Sequence, residues 1–124
     1  LFMLRLDPQL LGAPRDAVLE ALRAEGIPCA GGYGFSLHRQ PMFCNKAFGP
    51  YLDRVSSRLD YERTNCPNSD RICRECLWLE QRLLLGSRAD MDDIAHAFEK
   101  IHDQREVLTE WHRKRRASRR KGLR

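Results

Sequence analysis

The chain has 124 residues, of which 42% are hydrophobic and 31% charged, and its 22 basic residues outnumber the 17 acidic ones. This length and balance fit one globular domain with a single hydrophobic core. No apolar run approaches the ~20 residues of a membrane-spanning helix, and no secretory signal pattern is present, so we expect a cytoplasmic protein without a membrane partner.

The first elements are predicted to be a strand and an amphipathic helix. Residues 1–7, LFMLRLD, alternate their apolar side chains on one face, which predicts a strand against a core, ended by Pro8. Residues ~14–25 carry apolar side chains at helical spacing, and Gly26 can supply the left-handed cap. Because the chain begins inside the strand-like run and not with methionine, we expect a fragment of a longer protein or a mis-called start.

A glycine-rich loop follows a short extended piece at 27–30. It contains Tyr33 and the run His38-Arg39-Gln40. Arginine and protonated histidine attract phosphate or carboxylate, whereas tyrosine and glutamine can hydrogen-bond hydroxyls or carbonyls. The loop is therefore a candidate reader of anions and hydroxyls, although an ordinary surface turn is an open alternative. Its spacing fits neither a Walker loop nor a dinucleotide-binding loop.

The second half of the chain is predicted to be mainly helical. Tyr51, Leu52 and Val55 indicate a short surface helix, and a further helix begins at Pro67. The apolar face of that further helix is predicted to contain Ile72, Cys73 and Cys76.

Two apolar runs come next, of which 77–79 is read as extended and 83–85 as buried. Ser87-Arg-Ala-Asp90 resembles a capping box. The long helix that it opens is predicted to run to about Trp111, with Arg105 as one polar interruption on its apolar face.

The last twelve residues, 113–124, contain eight basic and no acidic side chains, so residues 1–112 carry a net charge of −3. We expect a disordered, solvated tail, because no aromatic residue is interleaved to stack on bases. A nucleic-acid-binding tail on a small non-catalytic binding module is the alternative interpretation.

The histidines and five cysteines do not predict a chemical site within this chain. Cys73 and Cys76 have C-x-x-C spacing, but zinc would require further ligands such as Cys66 with His38 or His102, and no second pair at regular spacing is present. Buried, reduced thiols are expected instead. No catalytic residue and no metal site are predicted.

Taken together, the elements predict an α+β fold. We expect a small sheet of short, mainly antiparallel strands, covered on one face by helices, with a long C-terminal helix and a basic tail.

Three blocks of sequence, in this order, resemble the C-terminal small domain of the DegT/DnrJ/StrS family of pyridoxal-phosphate-dependent sugar aminotransferases. The resemblance extends over residues ~1–104. The blocks are AEGI (24–27) with Tyr33 and LHRQP (37–41), CPNSDRI (66–72), and LWL (77–79) with LLG (84–86) and DDIAHAFEKI (92–101). The family's usual "LP" is absent, since Glu80-Gln81 follows Leu79. The variant Trp-Leu-x-x-x-x-Leu-Leu-Gly at 78–86 looks more like members that act on keto-cyclitols, aminoshikimate-type precursors or unusual sugars.

The resemblance implies a fold-type-I aminotransferase whose large domain, and not this chain, holds the cofactor. Pyridoxal phosphate is expected in the full-length enzyme, and none is expected to bind this fragment alone. No cofactor-binding residue is carried over, because none of the lysines sits in the family's lysine motif: Lys46, Lys100, Lys114 and Lys121. Residues 1–112 would be the small domain, truncated at its N-terminal side, and 113–124 the tail.

The resemblance also implies a role and partners. Tyr33, His38, Arg39 and Gln40 would face the substrate or shape its pocket. The full enzyme would be a homodimer that aminates a keto-sugar or keto-cyclitol in amino-sugar or antibiotic-precursor biosynthesis, with glutamate or glutamine as donor. The isolated fragment would be inactive, and no nucleic-acid partner is expected.

Overall fold

The computed structural model describes residues 1–47, 49 and 58–121. The predicted surface helix around Tyr51, Leu52 and Val55 lies outside the described residues. Two compact units are present, one made of Leu1–Gly32 with Glu75–Arg124 and the other of Tyr33–Arg74. The elements in chain order are β1 (Phe2–Arg5), α1 (Pro8–Leu11), α2 (Arg15–Ala24), β2 (Cys29–Ala30), a 3₁₀ turn (Leu37–Arg39), α3 (Pro41–Cys44), α4 (Pro67–Glu75), β3 (Cys76–Leu79), a 3₁₀ turn (Gln81–Leu85), α5 (Arg88–Asp103) and α6 (Arg105–Lys121).

The first unit is built on a three-stranded antiparallel sheet with the order β1–β3–β2. Leu4 pairs with Leu77, and Cys29 pairs with Leu79, so alternate residues of the strands share one face. The predicted strands at the N-terminus, at 27–30 and at 77–79 are all present. The structure confirms the α+β fold with a small antiparallel sheet and a long C-terminal helix.

The core lies between this sheet and the helices. Leu77 and Leu79 of β3 are fully buried and pack against α2, whose Val18 and Leu22 are equally inaccessible. Ile101 of α5 completes the same cluster. Phe2, predicted to lie on the core face of the first strand, remains about half exposed.

Local signals explain the ends of the predicted helices. Pro14 precedes α2 as its cap residue, and Gly26 follows it with a φ of 84°, the left-handed conformation expected there. At α5 the Ser87 side chain accepts from the Asp90 backbone N–H, and the Asp90 carboxylate accepts from the Ser87 N–H at 2.6 Å. The capping box is therefore confirmed with aspartate in place of glutamate.

The prediction of one helix that ends near Trp111 is wrong. The helix breaks at Gln104, where φ is −97° and ψ is 19°, and a second helix continues to Lys121. Arg105 begins this second helix, and its guanidinium donates to the His102 carbonyl at 3.1 Å. The polar residue noted in the apolar stripe thus marks the break.

Helix α6 contacts other elements of the first unit through Thr109 and Arg115. Thr109 Oγ1 donates to the Gly12 carbonyl at 3.0 Å, Arg115 pairs with Glu20, and the Arg115 guanidinium lies 5.0 Å from the centre of the Trp111 ring. The backbone of 113–121 is helical, which differs from the expected disordered tail. The division of the chain into a domain of residues 1–112 and a tail remains a prediction.

Two remaining observations concern the apolar run at 83–85 and the hydrophobicity of the helices. The run at 83–85, predicted to be buried, forms the end of a 3₁₀ turn in which Leu85 is 76% exposed. Among the described helices, none has the combination of length and hydrophobicity that crossing a bilayer requires.

Candidate functional site

The predicted site loop lies at the start of the second unit and forms two tight turns. Leu37–Arg39 is a 3₁₀ turn in which the Arg39 N–H donates to the Ser36 carbonyl at 2.9 Å. Pro41 then opens α3, where its missing N–H costs nothing. These turns fix the backbone on both sides of His38 and Arg39.

A buried carboxylate organises the loop. Asp70, in the first turn of α4, is only 8% exposed, and it is the buried residue of a helix whose Ile72 is 43% exposed. Its carboxylate accepts a short hydrogen bond from the hydroxyl of Ser36, which is itself buried. A second contact is the ion pair between Asp70 Oδ2 and Arg39 Nη2 at 2.9 Å.

The His38 ring faces the same carboxylate. Its Nε2 lies 3.9 Å from Asp70 Oδ1, and its side chain is 9% exposed. This Nε2 is buried and has no hydrogen-bond partner among the residues that the structure describes. The separation exceeds a hydrogen bond, so only protonation of the ring would give the pair a charge–charge attraction.

The polar surroundings of Asp70 favour its ionised form. The hydrogen bond from Ser36 holds the pKa of Asp70 below its usual value, and the charges of Arg39 and His38 act in the same direction, whereas burial acts against them. The carboxylate therefore remains charged at neutral pH and can balance the guanidinium beside it.

The four predicted site residues fall into different environments. Tyr33 is 70% exposed, and the Arg39 side chain is 61% exposed even though it pairs with Asp70. Gln40 donates from Nε2 to the Phe35 carbonyl at 3.4 Å, within its own loop. The His38 ring turns inward. The structure thus brings His38 and Arg39 together at Asp70, and their contact with a substrate stays a prediction.

Sequence reasoning does not identify Ser36 and Asp70 as members of this cluster. The sequence indicates Asp70 only as a favourable acid in the first turn of a helix, a position where aspartate is ordinarily solvated. Its burial depends on a contact with Ser36, which is 34 residues earlier in the chain. Local periodicity carries no signal for such a contact.

The predicted site residues do not line the open grooves found among the described residues of the first unit. One of them is an open groove of about 610 Å³ lined by polar residues that include Arg82, Asp93 and His96. Lys100 lies at its edge and pairs with Glu25 at 2.8 Å.

Two lysines of the first unit, Lys100 and Lys114, do not fit a pyridoxal phosphate site, which needs a lysine inside an enclosed pocket. The Lys100 side chain is 52% exposed and lies beside its Glu25 partner. The Lys114 side chain is 74% exposed and pairs with Glu110 on α6 at 3.4 Å.

The cysteines provide no metal-binding group within the described residues, where no cluster of three or more histidine, cysteine or acidic side chains is suitably placed. Cys76 is buried, as expected for a reduced structural thiol, whereas Cys44 is exposed, contrary to that expectation. All five cysteines lie within the described residues, and each is a thiol.

Comparison with known proteins shows that about four-fifths of the chain is similar to aminotransferases of cyclitol ketones. The L-glutamine:2-deoxy-scyllo-inosose aminotransferase of Streptomyces kanamyceticus is 36% identical over 108 residues, which are 82% of this chain and 24% of that protein. Proteins of the same name from Streptomyces paromomycinus and Streptoalloteichus tenebrarius are 32% identical over 106 residues and 31% identical over 103 residues. These matches cover 83% and 77% of this chain, and 25% and 23% of those proteins. The chain thus spans about a quarter of the length of these curated relatives. No protein-family model matches the chain, and no solved structure matches it.

Proposed function

We propose that this chain is the C-terminal part of a pyridoxal-phosphate-dependent aminotransferase of the DegT/DnrJ/StrS type, which transfers the amino group of L-glutamine to a keto-cyclitol. The observation that carries this proposal is the similarity of about four-fifths of the chain to enzymes named for L-glutamine and 2-deoxy-scyllo-inosose. The three blocks that resemble the family's small domain lie within the same part of the chain.

In the proposed enzyme this chain supplies substrate contacts. A keto-cyclitol carries several hydroxyl groups, which both donate and accept hydrogen bonds. Tyr33 and Arg39 expose groups that can bind such hydroxyls, and Gln40 carries an amide of the same capacity. The His38 side chain is only 9% exposed, so its proposed part is to shape the pocket.

The cofactor belongs to other parts of the proposed enzyme. Pyridoxal phosphate supplies the electron sink of transamination when it is bound. The environments of Lys100 and Lys114 give no support to its binding here. The active enzyme is proposed to be a homodimer, and the isolated chain to be inactive.

The test is to extend the reading frame on the N-terminal side in the source genome and assay the longer protein. Purified with pyridoxal phosphate, it should convert 2-deoxy-scyllo-inosose to the corresponding amine in the presence of L-glutamine, as followed by mass spectrometry. The isolated chain is the matched control and should give no product. The proposal fails if no upstream frame encodes a cofactor-binding lysine, or if the longer protein uses neither substrate.

A second measurement tests the assignment of the cofactor to the rest of the enzyme. The isolated chain is titrated with pyridoxal phosphate and then reduced with borohydride. We expect no visible absorbance band from bound cofactor, and no covalent attachment of the cofactor to one specific lysine after reduction. Stoichiometric labelling of a single lysine would overturn the assignment.

A further inference from the structure

The ion pair between Arg39 and Asp70 determines the charge that the loop presents. The carboxylate is almost enclosed, with its side chain 10% exposed, whereas the guanidinium is 61% exposed. Arg39 Nη2 and Asp70 Oδ2 are 2.9 Å apart. The negative charge of the buried carboxylate therefore offsets the positive charge of the exposed guanidinium. An isolated exposed arginine would be a general anion receptor, and this arginine is not isolated.

The neighbouring groups Ser36, His38 and Arg71 replace neither partner of this ion pair. Ser36 donates a neutral hydrogen bond to the carboxylate. His38 faces the carboxylate at 3.9 Å, a separation beyond that of a hydrogen bond. Arg71, the next residue of α4, is directed to Asn68 Oδ1 at 3.5 Å. The Asp70 carboxylate therefore offsets the charge of the Arg39 guanidinium with which it is paired.

We infer that Asp70 is a positioning residue that sets the specificity of this loop, by making Arg39 a donor to neutral, hydroxyl-bearing ligands instead of a receptor for anions. Guanidinium has five N–H groups in a fixed plane, and the ion pair with Asp70 involves Nη2. The remaining N–H groups can donate to hydroxyl oxygens. A phosphate or carboxylate gains less at this site, because Asp70 repels it from a distance of a few ångströms.

The assignment of a keto-cyclitol as the ligand of this loop rests on the proposed function. A keto-cyclitol is uncharged and rich in hydroxyls, whereas L-glutamine carries a carboxylate. The loop is thus assigned to the ketone and not to the carboxylate of the amino donor. It also disfavours ketones that carry a phosphate group.

The test uses inorganic phosphate as the probe and the chain of 124 residues as the protein. The Nε–Hε resonance of Arg39 is assigned by its loss in Arg39→Lys and followed by NMR near neutral pH at constant ionic strength. We expect phosphate to bind weakly to the unsubstituted chain and about fivefold or more tightly to Asp70→Asn. Equally tight phosphate binding with and without Asp70 would overturn the inference.

Two control variants separate charge from loosening of the loop. Ser36→Ala removes the hydrogen bond to Asp70 but keeps the carboxylate, so phosphate affinity should not rise. Asp60→Asn removes the same charge from an exposed ion pair with Arg63, and the Arg39 resonance should respond as in the unsubstituted chain. A gain in Ser36→Ala as large as in Asp70→Asn would show that mobility, and not charge, controls the site, and would refute the inference.

A kinetic arm in the longer protein separates this inference from the proposed function. Asp70→Asn should raise KM for 2-deoxy-scyllo-inosose, leave KM for L-glutamine nearly unchanged, and increase inhibition by inorganic phosphate. If the longer protein is not an aminotransferase, the phosphate titration of the isolated chain still decides the role of Asp70. If the enzyme is active and neither KM for the ketone nor phosphate inhibition changes, the inference is wrong while the proposed function stands.

Discussion

Gly32 lies directly against the indole ring of Trp78. A Cβ atom placed on this glycine would be 2.8 Å from Cε2 of the ring, closer than real side chains approach, and the residue has a φ of 64°. Both features require glycine, because other residues are strained in the left-handed region. The contact fixes the path of the chain immediately after β2, at its entry into the site loop.

Gly32→Ala is therefore expected to destabilise the chain. The strained φ alone costs about 1–2 kcal/mol, and the steric conflict with Trp78 adds to it. Gly34→Ala is the matched control, because no atom lies within 4 Å of the position that its Cβ would take, and its φ is outside the left-handed region. Its effect should stay within about 1 kcal/mol. Urea unfolding of both variants measures the difference, and equal midpoints would contradict the assigned packing.

The sequence predicts well those elements that depend on local chemistry. The alternation in 1–7, the left-handed glycine after α2 and the capping box at Ser87 each act within a few residues, and each is present. The helix break at Gln104 escapes prediction because apolar spacing continues across it, from Ile101 to Leu108. Periodicity reports which face is apolar and is insensitive to one irregular residue.

The arrangement of the candidate site, in contrast, could not be predicted from local sequence. The glycines and the run His38-Arg39-Gln40 indicate a polar loop, but not which of these side chains remains accessible. Around Asp70 the His38 side chain is 9% exposed, whereas the Arg39 side chain that pairs with Asp70 is 61% exposed. Since Asp70 lies more than thirty residues further along the chain, only the folded arrangement reveals it.

The core should be most sensitive at β3. Leu77 is completely buried between the sheet and α2, so Leu77→Ala is expected to cost about 2–5 kcal/mol through lost burial and the cavity that remains. Leu85→Ala makes the same change at a side chain that is 76% exposed, and should cost less than about 0.5 kcal/mol. Thermal unfolding followed by circular dichroism compares the two. A Leu85 effect equal to that of Leu77 would show that the core is placed incorrectly.

The start of α5 should depend on its capping box. Ser87→Ala removes the side-chain acceptor for the Asp90 N–H and is expected to cost about 1 kcal/mol. Ser118→Ala provides the comparison, because this serine is exposed on α6, where alanine is the better helix former and the change should be neutral or slightly stabilising. Hydrogen exchange at the first amides of α5 gives a local readout. Unchanged protection there in Ser87→Ala would argue against the cap.

The loss of folding stability at acid pH should depend on Asp70. Its pKa is lowered in the folded state, chiefly by the Ser36 hydrogen bond. A carboxylate with a lowered pKa contributes stability above its unfolded pKa of about 4, and this contribution is lost as pH falls through the folded value. Asp70→Asn should thus be less stable than the unsubstituted chain at neutral pH, with the gap closing in acid. In Ser36→Ala, the fall in folding stability between neutral and acid pH should be smaller than in the unsubstituted chain, but still present. Urea midpoints measured from neutral to acid pH test both, and parallel curves for all three proteins would contradict the assignment.

The basic end of α6 distinguishes the aminotransferase interpretation from that of a small nucleic-acid-binding module. Three of its basic side chains are already engaged, because Arg113 and Lys114 pair with Glu110, and Arg115 pairs with Glu20 beside Trp111. A chain that ends at Arg115 keeps these contacts and loses the remaining positive charges. We expect the full and shortened chains to bind a DNA duplex equally weakly at physiological salt in fluorescence anisotropy. Tight binding by the full chain that weakens steeply with salt and disappears on shortening would instead favour the binding module, since each neutralised phosphate adds to the salt slope.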